Sequence, residues 1–305
     1  MKKILITGHE GLVGRHLMEQ IKKAGYMPIG LDINAQNDKF LGNIIDKNRV
    51  QSAIEGCVGI VHLAAISRVV WGENNPDLCW QTNAEASKQL IALALESKLK
   101  PWVLVASSRE VYGEPSDLPV TEDCVLKPVN IYARAKLAME ESTLEARQQG
   151  LQTAIVRLAN VYGDINDHVD RVLPAFCWAA VLGETLRVDG MQHTFDFTHI
   201  SDTVEGVMLM IEKLENGEMS LPPIHLLPGL ATTLGEAAHF AIQAAGSCSV
   251  IQEAPSRSYD VAQFVGDPTR AKTLLGWEAK VTPDQGIAQL VNDFQLILNN
   301  KKVIA

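Results

Sequence analysis

Tyr132 and Lys136 stand one helical turn apart in Tyr132-Ala133-Arg134-Ala135-Lys136, so a helix running through them puts both side chains on one face. A free phenol titrates near pH 10 and is a poor base at neutral pH, and bringing it to ~7 takes about 4 kcal/mol. One close cation supplies about one to three pKa units. Lys136 together with a nicotinamide cation would supply the whole shift. A strand and a loop earlier, Ser107-Ser108-Arg109-Glu110-Val111-Tyr112-Gly113 offers a hydroxyl and a carboxylate for the same site.

Such chemistry needs a bound dinucleotide, and the beginning of the chain has the shape for one. Lys2-Lys3-Ile4-Leu5-Ile6-Thr7 reads as a short apolar strand, and Gly8, Gly11 and Gly14 form the turn into a helix. Without Cβ atoms the turn can approach a ligand closely, and the helix start aims unpaired N–H groups at a phosphate. Val13, Leu17, Ile21 and Ala24 recur at helical spacing, with Gly25 just past the end. A second strand, Pro28-Ile29-Gly30-Leu31, ends on Asp32. An acid there hydrogen-bonds both ribose hydroxyls of an adenosine and repels a 2′-phosphate, which selects NAD over NADP.

The rest of the first half alternates in the same way. Gly59–Ala65 is a third β-type segment, Asn83–Ser97 is helical, Trp102–Ala106 is a buried strand ending at Ser107-Ser108, Ile131–Gln149 is a long helix and Thr153–Leu158 a further strand. Repeated βα units imply an α/β fold, a doubly wound parallel sheet with helices on both faces and ligands beyond the carboxyl ends of its strands. After about residue 165 the pattern loosens. Val172–Leu182 and Ile200 to about Leu214 read as helices, Asn216–Pro223 as a turn-rich break, and Ile287–Leu298 as a terminal helix. Residues 1–165 plus about 189–214 are expected to form the NAD-binding domain, and about 166–188 with 215–305 a smaller C-terminal α/β substrate lobe.

Composition narrows the function. The 305 residues are 47% hydrophobic and 21% charged with a net charge of −9 and no long basic run, which argues against nucleic acid or an anionic membrane as partner. The 5 cysteines are scattered without a Cys-x-x-Cys pair, so neither a disulfide framework nor a zinc site is expected. Asp164-x-Asn166-x-His168-x-Asp170 lacks the central Gly and terminal Glu of a calcium loop and reads as a solvated loop. The histidines show no metal-ligand spacing, which leaves His62 and His199 as structural or cofactor-adjacent, and no metal is expected. No signal-peptide core or membrane-length run is present, so the cytoplasm is the expected compartment.

Taken in order, Gly8-x-x-Gly-x-x-Gly14, His62-Leu-Ala-Ala65, Asn83, Ser-Ser-x-x-Val-Tyr-Gly113, Tyr132-x-x-x-Lys136, Arg157-Leu-Ala-Asn-Val-Tyr-Gly163, Asp267-Pro-Thr-Arg-Ala-Lys and Leu275-Gly-Trp277 run nearly end to end. Through them the sequence resembles the extended short-chain dehydrogenases, the NAD-dependent nucleotide-sugar epimerase/dehydratase family. The resemblance implies a Rossmann-type sheet, bound NAD, a nucleotide-sugar substrate and a homodimer. It makes Tyr132 the acid/base, has Lys136 hold the nicotinamide ribose and lower the tyrosine pKa, and gives Ser108 the reacting sugar oxygen. Ala64 and Ala65 would line the cofactor cleft, while Asn83, Asn160 and Arg257 would meet the nucleotide sugar. Arg257-Ser-Tyr-Asp260 keeps the Arg and Asp of the family's usual Arg-Pro-Gly-Asp, and a guanidinium suits a diphosphate because it donates two parallel hydrogen bonds.

There are departures too. Phe195-Asp196-Phe197 stands where the family often has Arg-Asp-Phe, which removes one phosphate-binding arginine, and Asn43 stands where an acid often meets adenine. Glu110 falls where sugar dehydratases and sugar-acid decarboxylases carry a catalytic glutamate, but Ser108 and Arg109 precede it in place of Thr and Asp or Ser. The expected activity is 4-epimerisation through a transient 4-keto sugar. The alternatives are a 4,6-dehydratase or related 4-keto-forming enzyme using Glu110, and a non-catalytic NAD-binding regulator, which would typically have lost the Tyr/Lys pair. Glu110 reads either as a base at the sugar C5 or as a carboxylate neutralised by Arg109 or facing solvent; on a strand-like segment the two side chains would point to opposite faces, so direct neutralisation is not assured.

Overall fold

The structure is a computed structural model describing residues 1–219, 221–256 and 261–304, with side chains to residue 300. In the first half each apolar run becomes a strand and each 3.6-period run a helix: β1 (Lys3–Thr7), α1 (Leu12–Lys23), β2 (Met27–Leu31), α2 (Lys47–Ile54), β3 (Cys57–His62), α3 (Val69–Asn74), α4 (Pro76–Trp80), α5 (Ala86–Glu96), β4 (Trp102–Ser108), α6 (Ile131–Gln148) and β5 (Thr153–Leu158). α1 buries Gly14, Leu17 and Ile21, the stripe its spacing dictates. Ile4, Leu5 and Ile6 are all buried because helices cover both faces of the sheet.

The second half runs β6 (Asn160–Tyr162), α7 (Val172–Leu182), β7 (Leu186–Asp189), β8 (Thr194–Phe195), β9 (Phe197–His199), α8 (Ile200–Glu215), β10 (Ile224–Leu226), β11 (Thr232–Thr233), α9 (Leu234–Ala245), β12 (Ile251–Ala254), β13 (Gln263–Phe264), α10 (Thr269–Leu275) and α11 (Pro283–Ile304). The central sheet has 6 strands in the order β2-β1-β3-β4-β5-β10, all parallel. β2 and β3 flank β1, so the winding reverses there, and that switch point opens a crevice at the carboxyl ends of the strands. A second core joins Phe176, Phe195, Phe197, Leu234, Phe264, Ile287 and Phe294 under α7, α9 and α11. It is the smaller lobe.

Two expectations need correction. The strand closing the sheet edge is β10, within the stretch assigned to the substrate lobe, and Trp277 belongs to the same core as β1 and α8. Side-chain bonds across the sequence draw that segment back: the Trp277 indole donates to the Asp202 carbonyl at 3.0 Å, and the Asp202 carboxylate accepts from the backbone of Lys280 and Val281 at 3.0 and 2.9 Å. Local periodicity carries no trace of such bonds. The helix expected to begin at Asn83 instead enters through a π-helical turn, Gln81–Glu85, before α5.

Beneath the site β5 is pinned to α6. Arg157 makes a two-pronged, buried pair with Glu140 at 3.0 and 2.7 Å, and its remaining nitrogen reaches the Tyr112 hydroxyl at 2.6 Å and the Glu122 carbonyl at 2.8 Å. Among the described residues no helix is long and apolar enough to cross a membrane.

Candidate active site

A cleft of about 1250 Å³ runs along the carboxyl ends of the strands and between the lobes. One end is built from backbone. Gly8 sits at φ 73°, and a Cβ there would lie 2.7 Å from the Ala64 nitrogen, so the turns after β1 and β3 meet only because residue 8 is glycine. Gly11 caps α1 with no side-chain bond, leaving the helix start bare. Asp32 accepts from the backbone of Glu10 at 3.0 Å and of Asn34 at 2.9 Å, which fixes its carboxylate at the rim. Gly8, Gly11, Gly14, Asp32, Asn43, Ala64 and Ala65 all line this end.

The other end is built from side chains. Tyr132 and Lys136, on α6, are 8% and 4% exposed and face the cleft beside Ser108, the last residue of β4. Burial pushes the Tyr132 phenol up to about 12, against the pull of a hydrogen bond from Ser108, while Glu110 pushes it further up and Arg171 draws it down. Burial also lowers Lys136, to about 8, opposed by Cys79 and Glu140. Its ammonium donates to the Ala106 carbonyl at 2.7 Å and lies 5.9 Å from the Tyr132 ring centre. Burial is the leading cause of both shifts, because withdrawing each group from water disfavours its charged form.

The chain after Ser108 does not continue as a strand. Arg109–Tyr112 is a 3-10 turn, which rotates successive side chains by about 120° rather than 180°. Arg109 and Glu110 therefore meet at 2.8 Å instead of pointing apart, a correction to the strand-based expectation. The other Glu110 oxygen accepts from the Asn130 amide at 3.1 Å, and the Asn130 oxygen caps α6 through the Ala133 N–H at 2.8 Å. The Arg109 guanidinium lies 4.6 Å from the Phe195 ring centre and 5.6 Å from that of Phe264. A cation is thus present beside Phe195 although residue 195 does not supply it. One guanidinium nitrogen of Arg109, Nη1, is buried with no hydrogen-bond partner among the described residues, a situation that costs about 1–3 kcal/mol.

The sequence model of the NAD dependent epimerase/dehydratase family matches residues 4–221. The chain belongs to that family. It is accordingly an NAD-dependent enzyme of the extended short-chain dehydrogenase type. Among curated proteins it is 29% identical to a UDP-N-acetyl-alpha-D-glucosaminuronate decarboxylase of Bacillus cytotoxicus, over 98% of this chain and 99% of the relative. It is 28% identical to UDP-glucuronic acid decarboxylase 6 of Arabidopsis thaliana, over 98% and 91%. Among solved structures it superposes on UDP-glucose 4-epimerase of Thermotoga maritima with UDP-glucose at a TM-score of 0.89 and 25% identity, over 97% of this chain and 99% of the other. It shares its fold with UDP-glucuronic acid 4-epimerase of Bacillus cereus, a complex with UDP-glucuronic acid and NAD, at a TM-score of 0.87 and 22% identity, over 97% and 99%.

This epimerase/dehydratase family member fits its cofactor at the backbone end. The uncapped start of α1 and the glycine turn suit a pyrophosphate, and the fixed carboxylate of Asp32 has lone pairs left for ribose hydroxyls. Other sequence-predicted residues are placed differently. Asn83 is buried and spends its amide on both backbone groups of Ile66, at 2.8 and 2.9 Å, so it clamps the loop after β3 rather than facing the cleft. Asn160 does line the cleft. Arg257 lies outside the described residues. His62 bridges Thr7 and Ser87 at 2.7 and 2.8 Å, and burial lowers its pKa to about 3, a neutral structural ring. The Asp164–Asp170 loop closes over the rim: Asp170 pairs with Arg68, and the His168 ring packs on Trp71 at 4.8 Å. Asn130 was absent from the sequence-derived site. Its signal was available, since an Asn directly before a helical run is a standard N-cap. Phe264 carried no local signal.

Proposed function

We propose that this enzyme is a nucleotide-sugar 4-epimerase working through a transient 4-keto sugar. The observation that supports this reading is the pairing of Glu110: both of its oxygens are engaged, by Arg109 and Asn130, while Tyr132, Ser108 and Lys136 stand together at the cleft. Tyr132 takes the proton of the sugar 4-hydroxyl and later returns it, Ser108 holds the same oxygen, and Lys136 holds the ribose and keeps a positive charge below the phenol. NAD, when bound, supplies a reversible hydride acceptor. A sugar turned over between the two hydride steps emerges with C4 inverted. No proton leaves C5, so the engaged Glu110 is no obstacle; a 4,6-dehydratase would need that base free.

The curated relatives favour a second reading, decarboxylation of a nucleotide-linked hexuronic acid. It uses the same first step. A 4-ketone makes the C6 carboxylate a β-keto acid, which loses carbon dioxide without a base at C5.

The test is product analysis in deuterated water with UDP-hexoses and UDP-hexuronic acids. A 4-epimer free of carbon-bound deuterium is expected. A pentose with deuterium at C5 and released carbon dioxide selects the second reading. Loss of water with deuterium at C5 overturns both in favour of the dehydratase.

A further inference from the structure

We propose that Arg109 is a specificity residue for an acidic sugar, its guanidinium balancing a carboxylate carried on C5 of the substrate's sugar ring. This rests on the nucleotide-sugar reading above and names the class of sugar.

Four observations carry it. Arg109 lines the cleft yet is only 8% exposed. Its guanidinium is held against the Phe195 and Phe264 rings, 4.6 and 5.6 Å from their centres, so it is fixed and mostly dry. Nη2 is neutralised by Glu110 at 2.8 Å, and Nη1 has no acceptor among the described residues. Asp196 does not fill that vacancy, because its carboxylate accepts from the backbone of Leu230 and Gly266, at 2.8 and 2.7 Å. An arginine cannot shed its charge to escape this position. Nearly every buried polar group in a folded protein has a partner, and a planar acceptor with two oxygens is the group a guanidinium edge matches best.

The position of Arg109 along the cleft picks the carboxylate over the diphosphate. Arg109 follows Ser108 directly, and Glu110 links it through Asn130 to the N-cap of the helix carrying Tyr132. The guanidinium is thereby anchored to the end of the cleft where the 4-hydroxyl reacts. On a pyranose the C5 substituent is next to C4, whereas the diphosphate on C1 is across the ring. The second oxygen of Glu110 is occupied by Asn130, which keeps that carboxylate on its own side of the fork.

Binding is measured by calorimetry on the NAD-loaded protein in a Tyr132→Phe background, which blocks turnover. UDP-glucuronic acid, UDP-glucose and UDP are the probes. The acid is expected to bind at least fivefold more tightly than the neutral sugar, Arg109→Met to abolish that preference, and Arg109→Lys to keep part of it. Should Arg109→Met fail to fold, R109M/E110Q removes both charges and serves the same comparison. A preference below fivefold, or one that survives the loss of Arg109, overturns the proposal. An equal loss for all three probes also overturns it and assigns the guanidinium to the diphosphate. Binding of neither sugar nucleotide would overturn the nucleotide-sugar reading as well, while equal binding of both sugars overturns only the Arg109 assignment.

Discussion

The two ends of the cleft are built by different means. At the cofactor end the surface is backbone: a glycine turn, an uncapped helix start, the Ala64-Ala65 turn and one acid, all within the first 65 residues. At the substrate end the surface is side chain, contributed by residues 108–110, 132, 136 and 195. Its polar groups are buried and hydrogen-bonded in place, Glu110 to Arg109 and Asn130, and Lys136 to the Ala106 carbonyl. Backbone contacts survive most substitutions so long as the glycines remain. A buried polar network does not, because removing one member strands another in a dry place. The contrast predicts that single side-chain changes will be mild at the first end, and severe at or beneath the second where they remove the reacting phenol or the two-pronged partner of a buried charge.

The largest effect should come from Tyr132→Phe, which keeps the ring's packing and removes the proton carrier. Turnover is expected to fall ~10²- to 10⁴-fold with NAD binding preserved, read by steady-state rates alongside cofactor titration. Near-normal turnover on the true substrate would remove Tyr132 from the mechanism.

Arg157→Met tests the layer beneath. It leaves Glu140 buried without its two-pronged partner, and the expected loss is ~3–5 kcal/mol in denaturant unfolding. The double variant R157M/E140Q should recover much of it. A single-variant loss below ~1 kcal/mol would mean the network tolerates gaps and the contrast fails.

Lys136 gives a pH signature. Its folded pKa of about 8 lies below the ordinary 10.5. Between those values the unfolded chain holds a proton that the folded chain has released, so stability rises with pH across that window. The rise should be roughly 2–4 kcal/mol relative to Lys136→Met, in which it disappears. Parallel pH–stability curves for the two proteins would contradict the buried-lysine assignment.

Smaller effects belong to the cofactor end and to Glu110. NAD should bind at least tenfold more tightly than NADP, about 1.4 kcal/mol, and Asp32→Asn should narrow that gap while leaving NAD bound; equal affinities in the parent protein would refute the role given to Asp32. Glu110→Gln should hold turnover within about tenfold, less than the ~10²-fold of a lost acid/base. A larger defect accompanied by loss of water and deuterium at C5 would make Glu110 a base and restore the dehydratase.

What the sequence determined by itself was whatever local chemistry enforces. Gly8, Gly11 and Gly14 between an apolar strand and a periodic helix announced the turn, Asp32 the ribose end, and Tyr132 and Lys136 a shared helix face, since each depends on residues within about one turn or one strand of each other. Ile4–Ile6 and the run ending at Ser108 announced strands buried on both faces. Tertiary structure alone decided the rest. Glu110 meets Arg109 because a 3-10 turn replaces the expected strand, a difference of rotation per residue that composition does not encode. Asn83 turns from a ligand candidate into a clamp because the Ile66 backbone comes to it across the fold. Phe195 keeps a cation beside it because Arg109 reaches over from another element. The last two contacts join residues far apart along the chain, brought together by packing, while the first depends on the path the backbone takes after β4.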